Sequence, residues 1–235
     1  TVDPPVAAVV IVTYNLSGQL REMLELLTAQ TVAPSAFDVV VADDGSTDET
    51  EAVARSFRDR LRIRFHTQAD RGFRAGTARN AGARLTTAPI LVFIDTGVMI
   101  GPGFVAAHVA AHAGHRPGRA VIGYVYGYNP FEPCPGLAEV LRGSAPADVV
   151  RRFADVPAFW DVRHAPLADV GFDLGHLAAP WIYFWSVNIS VAATDFWAVG
   201  GFDEDFRDYG GDDVALGYRL FRRGVPMVAC RRAWA

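Results

Sequence analysis

The sequence predicts an α/β fold in which a mostly parallel central sheet is flanked by helices. Two observations predict it. Continuous apolar runs rich in β-branched residues recur along the first hundred positions, as strands buried on both faces require. Between them lie stretches whose apolar residues follow helical spacing or whose capping signals mark a helix start.

In chain order, "VAAVVIVTY" (6–14) is the first buried strand, and "SGQLREMLELLTAQ" follows as a helix whose Leu20, Met23, Leu24 and Leu27 form one stripe. "FDVVVADDGSTDET" gives a second buried strand and a Gly turn; Ser46, three residues before Glu49, reads as a capping box for a helix to about Arg60. "LRIRFHT" alternates as a strand, a Gly/Arg-rich segment leads into a short helix, and "ILVFID" is again a buried strand. The order β-α-β-α-β-α-β implies right-handed crossovers with helices on both faces.

The chain has 235 residues, 51% hydrophobic and 20% charged, enough for one large domain with a substantial core. A formal charge of −4 with no basic block excludes a duplex nucleic-acid binder. All 22 basic residues are Arg, a bias spread over the chain and informative only at single positions. Cys134 and Cys230 stand in no metal-ligand or disulfide-framework spacing, so reduced thiols and a cytoplasmic location are expected. The uncharged stretch 174–194 holds Pro180, Asn188 and several aromatics, and reads as buried or ligand-lining structure rather than a membrane span. His108 and His112 sit at i, i+4 without the Glu of a zinc-protease motif, and read as a helix surface. From 129 to 180 the periodicity is lost while aromatics persist, which points to an elaboration covering a pocket.

In open parallel sheets ligands bind beyond the carboxyl ends of the strands. The residues there are Thr13, Tyr14 and Asn15 after the first run, Asp43 and Asp44 after the second, and Asp95 after "ILVFI". An Asp pair closing a buried strand must be hydrogen-bonded, by a turn or by a ligand.

Four segments in order, "VVIVTYN", "VVVADDGSTDET", "RGFRAGTARNAGARLTTAPILVFIDTG" and "VGGFDEDFRDYGGDDVALGYRL", resemble the family 2 glycosyltransferases, inverting enzymes of the GT-A fold. The resemblance implies one GT-A (Rossmann-like) domain, 1–128 binding a nucleotide-sugar donor and 129–235 the acceptor. It implies that Thr13, Tyr14, Asn15 and Asp43 or Asp44 face the nucleotide, and that Arg71 and Arg79 lie near the diphosphate, where guanidinium forks suit phosphate oxygens. Where the family carries Asp-x-Asp this chain has Asp95-Thr96-Gly97, so Mg²⁺ or Mn²⁺ would be held weakly, by Asp95 with the donor's help.

Asp213 falls on the family's catalytic base, with Asp212 in place of the usual Glu and Tyr209 in place of Trp. Trp181, Trp185, Asn188 and Asp212 are expected on the acceptor side, with Trp160 a further ring for stacking. Family members continue past "RRGVPMVACRRAWA" to a His that completes the metal site, which would lie beyond Ala235. The implied reaction moves a hexose, from UDP-glucose or a similar donor, to an acceptor hydroxyl. The altered Asp-Thr-Gly resembles glucosyltransferases that decorate aminocyclitol antibiotics of the validoxylamine type; a polysaccharide or cell-envelope acceptor and a non-catalytic sugar-nucleotide binder are the alternatives. A nucleotidyltransferase would need a Gly-rich basic loop after the first strand, which "TYNLSGQL" lacks.

Overall fold

The computed structural model describes residues 3–115, 118–132, 136–141 and 143–235. The apolar runs form β1 (Ala8–Thr13), β2 (Asp38–Asp43) and β4 (Ile90–Asp95), and the alternating run forms β3 (Arg62–Thr67). Helices α1 (Ser17–Thr28), α2 (Thr50–Ser56) and α3 (Ala75–Ala83) join them, α4 (Phe104–His112) follows β4, and β5 (Ala120–Tyr124) comes next. The 129–180 segment carries three short helices, α5 (Leu137–Leu141), α6 (Pro146–Phe153) and α7 (His164–Asp169). Then come β6 (Asn188–Ala192), α8 (Ala193–Ala198), α9 (Asp212–Arg222) and β7 (Met227–Trp234).

The strands form one sheet in the order β3-β2-β1-β4-β6-β5-β7. β1 pairs in parallel with both β2 and β4, and β6 runs antiparallel to β4 and β5. The chain moves outward from β1 to β3 and then returns to β1's other side as β4. That reversal opens a crevice between the carboxyl ends of β1 and β4, where such sheets bind ligands. The antiparallel β6 starts at the same edge, with Asn188 opposite Ile94.

Alternate strand residues serve different cores. Val9, Ile11, Val39 and Val41 pack with the predicted α1 stripe and with Phe57 and Phe104. Val10, Val40 and Phe93 pack on the other face with Phe196, Phe202, Leu216 and Leu220. Every one of these side chains is buried, at roughly 1.5–3 kcal/mol each for the larger ones.

Several local expectations are corrected. The Ser46–Glu49 box does not form: α2 begins at Thr50 and ends at Ser56, and Asp48 caps it by accepting from the Thr50 N–H (3.1 Å) and hydroxyl (2.5 Å). Ser46 instead bonds Asp43 and accepts from the Asn15 N–H, which ties the two loops together. The 174–194 stretch breaks into short 3₁₀ turns and β6, and no helix among the described residues is long and apolar enough to cross a membrane. Cys230 is a free thiol in β7, and Cys134 lies outside the described residues.

His108 is not on a helix surface. It is wholly buried, because α4 turns it toward hydrogen-bonding groups on β6. The Asn188 amide donates to the carbonyls of Tyr124 (3.2 Å) and Ala233 (2.9 Å), which leaves its oxygen to accept from His108 Nε2 (2.9 Å). His108 Nδ1 must then accept from Ser190 (2.8 Å), whose oxygen accepts from His112 Nε2 (2.9 Å). Burial pushes His108 down to about 3 and His112 to about 4.

A histidine held neutral in the fold but free to protonate when unfolded takes stability away as pH falls below its ordinary value of 6.5. Between pH 7 and pH 5 His108 alone should remove about 2 kcal/mol, with His112 adding to the loss. The melting temperature is therefore expected to drop by roughly 4–8 °C over that interval from His108. Thermal scans of wild type and His108→Gln check it, since the variant should flatten the dependence.

Candidate active site

Two adjoining cavities open at the carboxyl edge of the sheet. The first, ≈ 340 Å³, is lined by Thr13, Tyr14, Asp44, Asp70, Gly72 and Phe73 among others. The second, ≈ 240 Å³, is lined by Tyr128, Phe131, Trp185, Ser186, Asp212 and Asp213 among others. Phe73, Arg79, Asp95 and Tyr209 line both, so the cavities are two lobes of one cleft meeting at an ion pair.

In the first lobe Thr13 is buried with its hydroxyl unpartnered among the described residues, a donor waiting at a cavity wall. Tyr14 donates to Asp70 (2.9 Å), bridging the lobe's mouth. Asp44 accepts from Gln68 (2.5 Å) and from the Arg74 N–H (2.8 Å), which fixes its carboxylate at the wall. Gly45 (φ 96°) lets this turn touch the next: a Cβ there would lie 2.5 Å from the Asp70 backbone nitrogen.

Three residues expected on the donor side do not line the lobe. Asp43 does not line the lobe, because its oxygens accept from Ser46 and from Thr67 (2.6 Å). Asn15 does not line it either; its side-chain oxygen accepts from the Thr47 N–H (2.8 Å), locking the β1–α1 and β2–α2 loops. Arg71 is exposed beside the lining residues Asp70 and Gly72 and does not itself line the lobe.

Arg79 is the junction. Its guanidinium is buried against the Phe202 ring (5.2 Å) and donates to Asp95 Oδ1 (2.7 Å) and to Asp212 Oδ2 (3.3 Å). Burial works to lower its pKa, yet the two carboxylates outweigh that and raise it. Its Nε is unpartnered among the described residues. Asn80, one residue on, clamps the Phe202 backbone by donating to its carbonyl (2.8 Å) and accepting from its N–H (2.9 Å). The "ARN" and "GGFD" elements are therefore one packed unit.

Asp95 is 39% exposed at its side chain, and with Oδ1 engaged by Arg79 its other oxygen is left for a ligand. No group of three or more His, Cys, Asp or Glu among the described residues could hold a metal. Gly97 has φ 97° with open space where a Cβ would stand. A second carboxylate there would fit in volume but strain the backbone. These residues fit a metal only as one shared with the phosphates of a donor.

In the second lobe, Asp212 and Asp213 open α9, where the helix dipole favours negative charge. Asp213 accepts from its neighbour's N–H at Val214 (2.7 Å) and from the Ser186 N–H (3.0 Å). Burial pushes its carboxyl above the ordinary carboxylate range, against the pull of the Ser186 bond, and Asp212 pushes the same way. A carboxylate tuned upward is a better proton acceptor.

Trp185 lines this lobe, but Trp181 packs on Tyr218 and Phe221 (4.5 Å), away from it. Trp160 stacks on His164 (4.0 Å). Asn188 is buried and its amide is spent on His108 and two carbonyls, so it is a structural residue. Asp70, Phe73, Tyr128 and Ser186 were not anticipated. Asp70 follows β3, and the rule applied there to the other strands would have found it; the rest depend on tertiary approach.

The profile described as Glycosyl transferase family 2 matches residues 8–135. The chain belongs to this family. Among curated family 2 relatives, Validoxylamine A glucosyltransferase of Streptomyces hygroscopicus subsp. limoneus is 50% identical over 98% of this chain and 51% of its own length. Its counterpart in subsp. jinggangensis is 49% identical over 98% of this chain and 54% of its own length. The chain thus spans about half the length of the curated relatives it matches. Among solved structures, S. aureus TarS 1-349 in complex with UDP has a TM-score of 0.68 at 16% identity, covering 97% of this chain and 60% of that one. A mannosyltransferase from Pyrobaculum calidifontis, in complex with GDP-Man and Mn²⁺, has a TM-score of 0.64 at 18% identity, covering 99% and 56%. At these identities the structures establish the GT-A glycosyltransferase fold.

Proposed function

We propose that this chain is an inverting glycosyltransferase unit that moves a hexose, from UDP-glucose or a related nucleotide sugar, to a hydroxyl of a small polyhydroxylated acceptor. The carrying observation is the two-lobed cleft whose lobes meet at Arg79 and Asp95. One lobe offers an unpartnered Thr13 hydroxyl and a fixed Asp44 for a nucleoside; the other offers Asp213. Residues 1–128 would supply most of the donor lobe and 129–235 most of the acceptor lobe, and the likeness to the Streptomyces validoxylamine A glucosyltransferases supports a glucosyl donor and a small-molecule acceptor.

In this reading Asp213 takes the proton of the acceptor hydroxyl as its oxygen attacks the anomeric carbon, and the bond from that carbon to the diphosphate breaks. Arg79 receives the negative charge of the leaving diphosphate. Mg²⁺ or Mn²⁺, held by the open oxygen of Asp95 with donor phosphates and water, would supply further neutralisation of that charge. Asp212 holds Arg79 in place, and Trp185 walls the acceptor. A cytoplasmic location, with reduced thiols, completes the proposal.

Titration calorimetry of UDP, GDP and dTDP, each with Mg²⁺, with Mn²⁺ and with EDTA, tests it. UDP binding that strengthens with metal, and negligible metal binding without nucleotide, is expected. No binding of any nucleotide would sink the assignment, and UDP binding indifferent to EDTA would move the phosphate role to Arg79 alone. Cell fractionation of the native producer tests the location.

A further inference from the structure

We propose that Arg163, outside the family match, is a positioning residue that sets both the acceptor wall and the catalytic base; this rests on the transferase reading above. Arg163 and Asp161 are 1% and 2% exposed in a segment with no recognisable motif. Their pairing is bidentate, Nε to Oδ1 at 2.9 Å and Nη2 to Oδ2 at 2.6 Å. The remaining guanidinium donors reach the carbonyls of Tyr183 (3.1 Å) and Gly123 (3.1 Å). Asp161 also accepts from the N–H groups of Val125 (2.9 Å) and Arg163 (2.9 Å). The pair therefore bolts the end of β5 to the chain at 183.

What lies just beyond that bolt is the active site. The Arg163 guanidinium sits 5.1 Å from the centre of the Trp185 ring, and the indole N–H is fixed on the Ile182 carbonyl (2.7 Å). The next residue, Ser186, gives its N–H to Asp213 (3.0 Å). Two residues further, Asn188 enters β6 and is buried. The stretch 183–188 is thus held at one end by Arg163 and at the other by the sheet, with Trp185 and Ser186 between.

A buried ion pair adds little net stability over apolar residues of the same volume. Arg, with a rigid fork of donors, adds geometry: it can hold one carboxylate and two carbonyls at once, which Lys cannot. Displacing a positioned group by about 1 Å can cost on the order of 100-fold in rate.

The test uses Arg163→Lys, and Asp161→Leu with Arg163→Met, which replaces the pair by apolar side chains and carries the test if the lysine variant fails to fold. UDP affinity should stay within about twofold, because the donor lobe is untouched. The kcat/KM for acceptor should fall roughly 10- to 100-fold. The acid limb of the pH–rate profile should move upward by about 0.7 unit, the worth of one hydrogen bond to the base. That limb also feels Asp212, Arg79, Asp95, Tyr128 and Tyr209, all of which line the same lobe and are unchanged in these variants.

Trp185→Leu, at a half-buried position, should raise the acceptor KM without moving the limb. Wild-type kcat/KM for acceptor or an unmoved limb in the folded pair variants, or an unchanged KM in Trp185→Leu, overturns the proposal alone. A wild type that neither binds UDP nor transfers overturns the transferase reading and this one with it.

Discussion

Asp213→Asn is expected to lower transfer by about 10²–10⁴-fold while leaving UDP affinity within twofold. The amide keeps the size of the carboxylate, and its single oxygen can still accept from one of the Ser186 and Val214 N–H groups, which in the wild type bond to different oxygens. It cannot take a proton from an acceptor hydroxyl. Because burial raises the Asp213 carboxyl, the wild-type rate should fall with acid at a pH above the ordinary carboxylate value of 3.8. The sign follows from the base acting only when deprotonated: activity is present above the raised pKa and lost below it. Initial rates across pH, beside calorimetry on the variant, decide the matter. A variant that transfers at a tenth of the wild-type rate or better would remove Asp213 from the role of base.

Arg79→Met should produce the largest loss of donor binding. The wild-type guanidinium separates two carboxylates and stands at the cavity wall; without it, Asp95 and Asp212 face the phosphates of a donor unopposed. UDP affinity is expected to fall by about 100-fold or more, on the scale of losing one partner of a buried charge pair. Stability should fall by about 3–4 kcal/mol, the lower part of the range for such losses, since half-exposed Asp95 regains water and buried Asp212 does not. Arg79→Lys should recover part of the binding, as a point charge reaches one carboxylate at a time. If UDP binds the methionine variant within threefold of wild type, the diphosphate does not sit at this junction.

The strands, the α1 stripe and the crevice were legible because burial on both faces leaves uninterrupted apolar runs, and because the ligand edge of an α/β sheet follows from chain direction. Thr13, Tyr14, Asp44, Asp95 and Asp213 line the cleft as that rule and the family resemblance place them. Asp43 and Asp44 could not be told apart in sequence: Asp43 ends β2 and Asp44 opens the turn after it, and only tertiary packing gives one to Ser46 and Thr67 and the other to the cavity. Asn188, His108 and His112 were misread because a closed polar chain inside a core has the same residue types as an exposed or ligand-binding surface. The 129–180 helices run five to eight residues, shorter than the window over which helical periodicity shows itself.

The elaboration between β5 and β6 is tied into the core as well as the sheet, since its Leu167 and Leu174 pack in the same cluster as Phe93 and Leu216. Its ends are fixed in the sheet, at Tyr124 in β5 and at Asn188 opposite Ile94, and the donor lobe is built mostly from chain that precedes it. Changes at Pro130 and Phe131, which line the second lobe and not the first, would reshape one wall of the cleft and leave the other as it is.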